Sequence, residues 1–169
     1  MFPTNLPPLL DTAYCPSPVG VLRIEGNTEG ISAIAFTDAP EPPSRAVPAS
    51  LQVCVAQLDA YFRGECQTFS FPMAQSGTAF QQRVWQALQS IPFGQTTSYA
   101  HIARLIDNPA SVRAVGAANG SNQLCIVIPC HRIIGRDGTL VGYTGGLWRK
   151  QWLLAHERKH AGQGQLNLF

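Results

Sequence analysis

No two cysteines of this chain form a C-x-x-C pair, and the five present, Cys15, Cys54, Cys66, Cys125 and Cys130, are an odd number. That excludes a zinc ribbon and a disulfide framework as organising devices, so reduced thiols are expected. Long apolar runs are missing too: apolar residues fill 45% of the 169 positions, yet no stretch approaches the roughly 20 residues of a membrane helix. The opening MFPTNLPPLLDTAY has no basic start and no long apolar stretch, and its prolines break helices, so no secretory or transit signal is expected. These absences point to a soluble cytoplasmic protein that has no membrane association.

The charge that is present is unevenly placed. Residues 1–77 hold three Arg against seven Asp and Glu, a net −4, whereas residues 78–169 hold nine Lys and Arg against three Asp and Glu, a net +6. An acidic half joined to a basic half suggests two domains, 1–77 and 78–169, with a polyanion as the partner of the second.

In the first half, SPVGVLRIEG and GISAIAFTD flank a Gly-Asn-Thr-Glu-Gly turn and read as a hairpin. DAPEPPSRAVP, with four prolines in eleven residues, reads as an irregular loop. SLQVCVAQLDAYFRGE sets Leu51, Val55, Leu58 and Phe62 at helical spacing before Gly64, and QTFSFPM reads as extended. The second half is more helical. TAFQQRVWQALQ carries an apolar stripe of Phe80, Val84, Trp85 and Leu88, and KQWLLAHERKH, residues 150–160, reads as a terminal helix before a polar tail. Between them, TTSYAHIARLI and ASVRAVGAANG are two short helices around Asp107-Asn108-Pro109, the form of a helix-turn-helix. The second is built of small residues, Ala114, Gly116, Ala117, Ala118 and Gly120, and carries Arg113, so its backbone can approach another surface closely, whether a neighbouring helix or an external partner.

The chemistry concentrates at IVIPCHRIIGRDG, residues 126–138. LCIVIP reads as a strand ending at Cys130, with Pro129 fixing the backbone before it. A reactive cysteine needs a base or a positive field, and His131 and Arg132 are the candidates. In an extended segment neighbouring side chains point to opposite sides, so a turn or a water must complete any link from His131 to the sulfur. Cys125 reads as plain core. Three functions use such a cysteine: a cysteine hydrolase, a DNA-binding regulator with a redox-sensing thiol, and a protein that accepts a group covalently. His156 and His160, four apart on a helix, lack a third ligand nearby, and no metal or cofactor is expected.

IVIPCHRIIGRDGTLVGYTGG, with RAVGAANGSN before it and WLLAHE after it, resembles the DNA repair alkyltransferases that act on guanine alkylated at its 6-oxygen, the methylated-DNA:protein-cysteine methyltransferases. The likeness runs from about Thr78 to Glu157 and is looser in the first half, in SPVG and LDAYFRGE. It implies an α/β (α+β) fold: a ribonuclease H-like small sheet domain, then a mostly helical, winged-helix-like domain with the helix-turn-helix. It implies irreversible, single-turnover transfer to Cys130, with His131 as the base acting through a water and Glu157 as its orienting carboxylate. Asn122 would be the hinge asparagine, and Tyr99 would turn the nucleotide and protonate the guanine. Arg113 would replace the everted base, on a helix whose Ala114 and Ala117 lie against DNA, and Tyr143, Thr144 and Pro129 would wall the pocket. The implied partner is double-stranded DNA containing alkylated guanine, bound by a monomer. Two departures stand out: Gln123 where proline is usual, and Thr144 where a smaller residue is common.

Overall fold

The computed structural model describes residues 8–39 and 41–162. The first residues of the segment expected to lack a signal, 1–7, and the polar tail, 163–169, lie outside them.

The chain starts with a three-stranded antiparallel meander, β1 (Asp11–Ser17), β2 (Gly20–Asn27) and β3 (Gly30–Thr37), in the order β1-β2-β3. The β2–β3 hairpin matches the sequence expectation. β1 does not appear in that expectation, because a proline at position 16 and two polar residues at its start weaken its strand pattern. Asn27 caps the second turn by accepting from the Glu29 amide at 2.9 Å, and Gly30 follows with φ 150°. Alternation then buries Ala13, Leu22, Ile24, Ile31 and Ile34, with Ile24 opposite Ile34 in register. Helix α1 (Gln52–Phe62) packs here through Cys54, Leu58 and Tyr61. The buried stripe is therefore rotated from the expected one, leaving Val55 and Phe62 half-buried. QTFSFPM forms no strand; its one sheet-like link is a bridge from Met73 to Ile31.

Helix α2 (Ala79–Gln89) begins with a capping box in which Thr78 and Gln81 satisfy each other's backbone amides, and it buries Val84, Trp85 and Leu88. Helix α3 (Tyr99–Leu105) is capped by Ser98, and α4 (Val112–Gly120) follows a turn that places Asp107 at φ 55°. Trp85 donates from Nε1 to the Ala118 carbonyl at 2.8 Å, tying α2 to α4. Helix α5 (Leu147–His160) begins three residues before its expected start. Residues 134–146, which precede α5, form loops without a strand; a parallel bridge from Ile133 to Thr97 ties the chain just before them to the approach to α3.

The expected LCIVIP strand is absent. Residues 124–130 fold into a buried knot of turns, held by bonds from Val127 N to Cys125 O (2.8 Å), Ile128 N to Leu124 O (2.9 Å) and Cys130 N to Ile128 O (2.8 Å). Ile126 adopts φ 72°, a conformation that a β-branched residue takes only under tertiary compulsion. The sheet supplies part of that compulsion. β3 presents its free edge to the knot, with Ile34 N donating to Gln123 O (2.8 Å) and Cys125 N to Ile34 O (3.1 Å). The acidic half is thus the bed on which the cysteine-bearing segment is laid.

A second tie joins the halves. Arg149, buried at the start of α5, donates to Val19 O (2.7 Å), Gly145 O (2.9 Å) and the Asp38 carboxylate (2.7 Å).

Candidate active site

Cys130 opens a short 3-10 turn, Cys130–Arg132, at the end of the knot. The turn does what a strand cannot: it directs His131 and Arg132 both into the protein, toward α5. His131 is fully buried, with Nε2 2.6 Å from Oε1 of Glu157, itself fully buried. A carboxylate can only accept, so Nε2 carries the proton and Nδ1 keeps its lone pair. Nδ1 is buried without a hydrogen-bond partner among the described residues.

Glu157 is held from several directions. Arg132 donates from Nε to Oε2 (2.8 Å) and from Nη2 to Oε1 (3.0 Å), Tyr61 from Oη to Oε1 (2.8 Å), and the Gly94 amide to Oε2 (3.1 Å). Burial alone would raise its pKa, but the hydrogen bonds from His131 and Arg132 and the charge of Arg132 outweigh it, and the carboxyl stays far below its usual range. Arg132, read from sequence as a cation for the thiol, is spent on Glu157 and on the Ile91 carbonyl (2.5 Å). Burial lowers the pKa of His131 despite Glu157, so the imidazole rests neutral. Burial likewise raises that of Cys130, against the opposing pulls of Asn122 and Lys150, so the sulfur rests as a thiol.

Asn122 sits two residues beyond α4 and is not its cap, a role taken by Ser121. Its Nδ2 reaches Ile128 O (2.9 Å) and Cys130 Sγ (3.2 Å), while its Oδ1 accepts from Leu124 N (3.0 Å) and Gln75 Nε2 (3.2 Å). One side chain therefore links the end of the helix-turn-helix, the knot and the sulfur.

Cys130 lines a cavity of about 280 Å³. Tyr99 of α3, Gly116, Asn119 and Gly120 of α4, and Gly142, Tyr143 and Thr144 of the loop before α5 complete its wall. Tyr143 stands edge-on to Phe36 of β3 (centroids 6.1 Å apart), and a Cβ on Gly145 would lie 2.6 Å from the Phe36 ring, so the loop is pressed onto the sheet. Thr144 Oγ1 reaches Gly120 O at 3.3 Å. Lys150, buried behind this loop, donates to Val141 O at 2.6 Å. Pro129 lines a different cavity, of about 700 Å³, on the other side of the knot with Arg132 and Phe93. Arg113, Ala114 and Ala117 are exposed on α4. Cys125 is buried core, its pKa pushed up to about 12 by burial. His156 is bonded through Nε2 to Tyr61 O and His160 through Nδ1 to His156 O.

Sequence reasoning missed Tyr61, Lys150 and Asn119, and misassigned Arg132. An aromatic, a lysine and an asparagine inside helices carry no local mark of an inward polar contact; only the fold reveals it.

Residues 79–159 match the family described as 6-O-methylguanine DNA methyltransferase, DNA binding domain, and residues 11–75 that described as 6-O-methylguanine DNA methyltransferase, ribonuclease-like domain. A methylated-DNA–protein-cysteine methyltransferase of Mycolicibacterium paratuberculosis is 46% identical over 157 residues, covering 90% of this chain and 94% of the relative. One from Haemophilus influenzae is 46% identical over 152 residues, covering 86% and 84%. The crystal structure of Mycobacterium tuberculosis O6-methylguanine methyltransferase superposes with a TM-score of 0.81 at 41% identity, covering 90% of this chain and 94% of that one. That of Mycobacterium tuberculosis OGT in complex with DNA does so with a TM-score of 0.80 at 41% identity, covering 88% and 93%.

Proposed function

The chain belongs to the 6-O-methylguanine DNA methyltransferase family, and from that membership we propose that Cys130 is the atom that takes the alkyl group from the 6-oxygen of guanine in double-stranded DNA. The activity is that of a methylated-DNA–protein-cysteine methyltransferase, a DNA repair protein. The observation that carries the assignment is the cavity: a cysteine sulfur, a tyrosine hydroxyl and a loop aromatic share about 280 Å³ against the exposed helix-turn-helix.

The reaction is displacement at saturated carbon, for which sulfur is the best nucleophile a protein owns. His131 Nδ1 takes the thiol proton through a water while Nε2 stays bonded to Glu157, which compensates the imidazolium formed. This is triad logic with the proton held back until the alkyl carbon arrives. Sulfur bonds to the alkyl carbon, the carbon–oxygen bond breaks, and Tyr99 gives its phenolic proton to the departing guanine, the phenolate and the His131 imidazolium then being neutralised by proton exchange with solvent. The thioether gives water no carbonyl and no leaving group, so each molecule acts once.

Inside a base pair the target carbon is out of reach, and eversion costs a few kcal/mol. Arg113, exposed on α4, fills the gap in the stack. A Cβ at Gly120 would meet nothing within 4 Å, and one at Gly116 only Tyr99 at 4.0 Å, so internal packing does not demand the smallness of this helix. A smooth face for the minor groove accounts for it, and the +6 half supplies phosphate contacts indifferent to sequence. Unpaired cysteines among the described residues support a reducing, cytoplasmic setting, and the protein acts as a monomer.

Intact mass after mixing with a duplex containing 6-O-methylguanine tests the reading. One equivalent of protein gains about 14 Da, a single CH2, on Cys130, and Cys130→Ser gains nothing. Multiple turnover, or an adduct persisting in Cys130→Ser, refutes it.

A further inference from the structure

The mechanism leaves two polar groups of the cavity wall unused, the Tyr143 hydroxyl and the Asn119 side-chain amide, and only the amide oxygen is a pure acceptor. Asn119 is only 5% exposed, and its Oδ1 is buried with no hydrogen-bond partner among the described residues. Its helix neighbours explain the placement: Val115 and Ala118 face the core, Arg113, Ala114 and Ala117 face outward, and position 119 falls between these faces, on the cavity wall beside Gly116 and Tyr99. A side-chain amide oxygen accepts and cannot donate. An unpaired acceptor of this kind is costly in an empty wall and useful in a wall that meets a donor.

The proposed substrate offers few donors. Alkylation at the 6-oxygen fixes the ring in the form without a proton on N1, so N1, N3 and N7 are all acceptors. The exocyclic 2-amino group is then the one N–H donor of the base. We propose that Asn119 is a substrate-reading residue whose Oδ1 accepts a hydrogen bond from that amino group when the everted base occupies the cavity. The proposal rests on the assignment of Cys130 as acceptor and adds a specificity contact to it.

The test compares transfer rates on two duplexes that differ at one position, 6-O-methylguanine or 6-O-methylhypoxanthine, which lacks the 2-amino group. The wild type is expected to react roughly ten-fold more slowly with the hypoxanthine lesion, the scale of one neutral hydrogen bond. Asn119→Leu is expected to lose a similar factor on 6-O-methylguanine and little on 6-O-methylhypoxanthine, so the preference collapses. Equal slowing of both lesions by Asn119→Leu would reduce the residue to a structural role and overturn the proposal. So would a wild type that treats the two lesions alike, a comparison that needs no variant to fold. Absence of any alkyl gain by the wild type on either duplex refutes the acceptor assignment itself, a failure plainly different from a lost preference.

Discussion

Glu157 shows how much a single residue can organise. From its place on α5 it receives His131 and two donors of Arg132 from the 3-10 turn, Tyr61 from α1 and the Gly94 amide from the loop before α3. Buried and ionised, it fixes the tautomer of His131 and neutralises Arg132 in one place. Glu157→Gln keeps the shape but leaves the Arg132 guanidinium uncompensated, and a destabilisation of about 3–5 kcal/mol is expected from denaturant titration. Alkyl transfer should also slow, since Nδ1 loses its assured lone pair. From the sequence, Cys130, His131 and Glu157 were legible as a set only through their resemblance to a family; spacing alone does not single out Glu157. Arg132 was misassigned because adjacency in sequence was taken for adjacency to sulfur, whereas the turn carries its guanidinium away to the carboxylate.

Among the elements, the helices were the most legible, since caps such as Thr78 with Gln81 and apolar spacing such as Val84, Trp85 and Leu88 act within a few residues. The knot at 124–130 was not. Leu-Cys-Ile-Val-Ile has the composition of a strand, and only the edge of β3 and the Asn122 side chain, both supplied from elsewhere in the chain, impose turns on it. In the proposed reaction α4 has a separable task, with exposed Arg113 acting on the duplex and not on the chemistry at sulfur. Arg113→Ala should therefore slow transfer from duplex DNA by at least roughly ten-fold, the rate equivalent of losing part of the eversion energy. The reaction with free 6-O-methylguanine base should be unchanged. Parallel rate measurements on the two substrates check this, and equal losses would place Arg113 in the pocket chemistry instead.

At the scale of the molecule, the two halves depend on each other through the β3 edge and through Arg149. Arg149→Met removes the donors to Val19, Gly145 and Asp38 and leaves their acceptors, two of them backbone carbonyls, without this partner. A loss of about 2–3 kcal/mol in a melting or denaturant experiment is expected, with slower alkyl transfer because the Tyr143 loop loses its anchor. The pH dependence has a definite sign. His131 and His156 have pKa values lowered by burial from 6.5, so the unfolded chain takes up protons there that the folded chain refuses, and stability falls as pH drops below about 6.5. Glu157, held below its ordinary 4.5, adds a further loss when it is finally protonated. On the alkaline side Cys130, raised from 9.0, refuses ionisation, so stability falls again above about 9. Denaturation midpoints measured across pH should form a plateau between these limits, and a maximum displaced below pH 6 would contradict the neutral buried imidazoles.

A protein that works once must keep its one reagent unspent until it is needed. Cys130 is only 5% exposed and its thiol is protonated at rest, so peroxides and stray electrophiles meet a hidden, poorly nucleophilic group, and the more accessible Cys15 and Cys66 meet them first. Shelf life and reactivity are thereby separated: the enclosure that dulls the sulfur in waiting opens onto a cavity of about 280 Å³, where the proposed reaction would bring the damaged base to it.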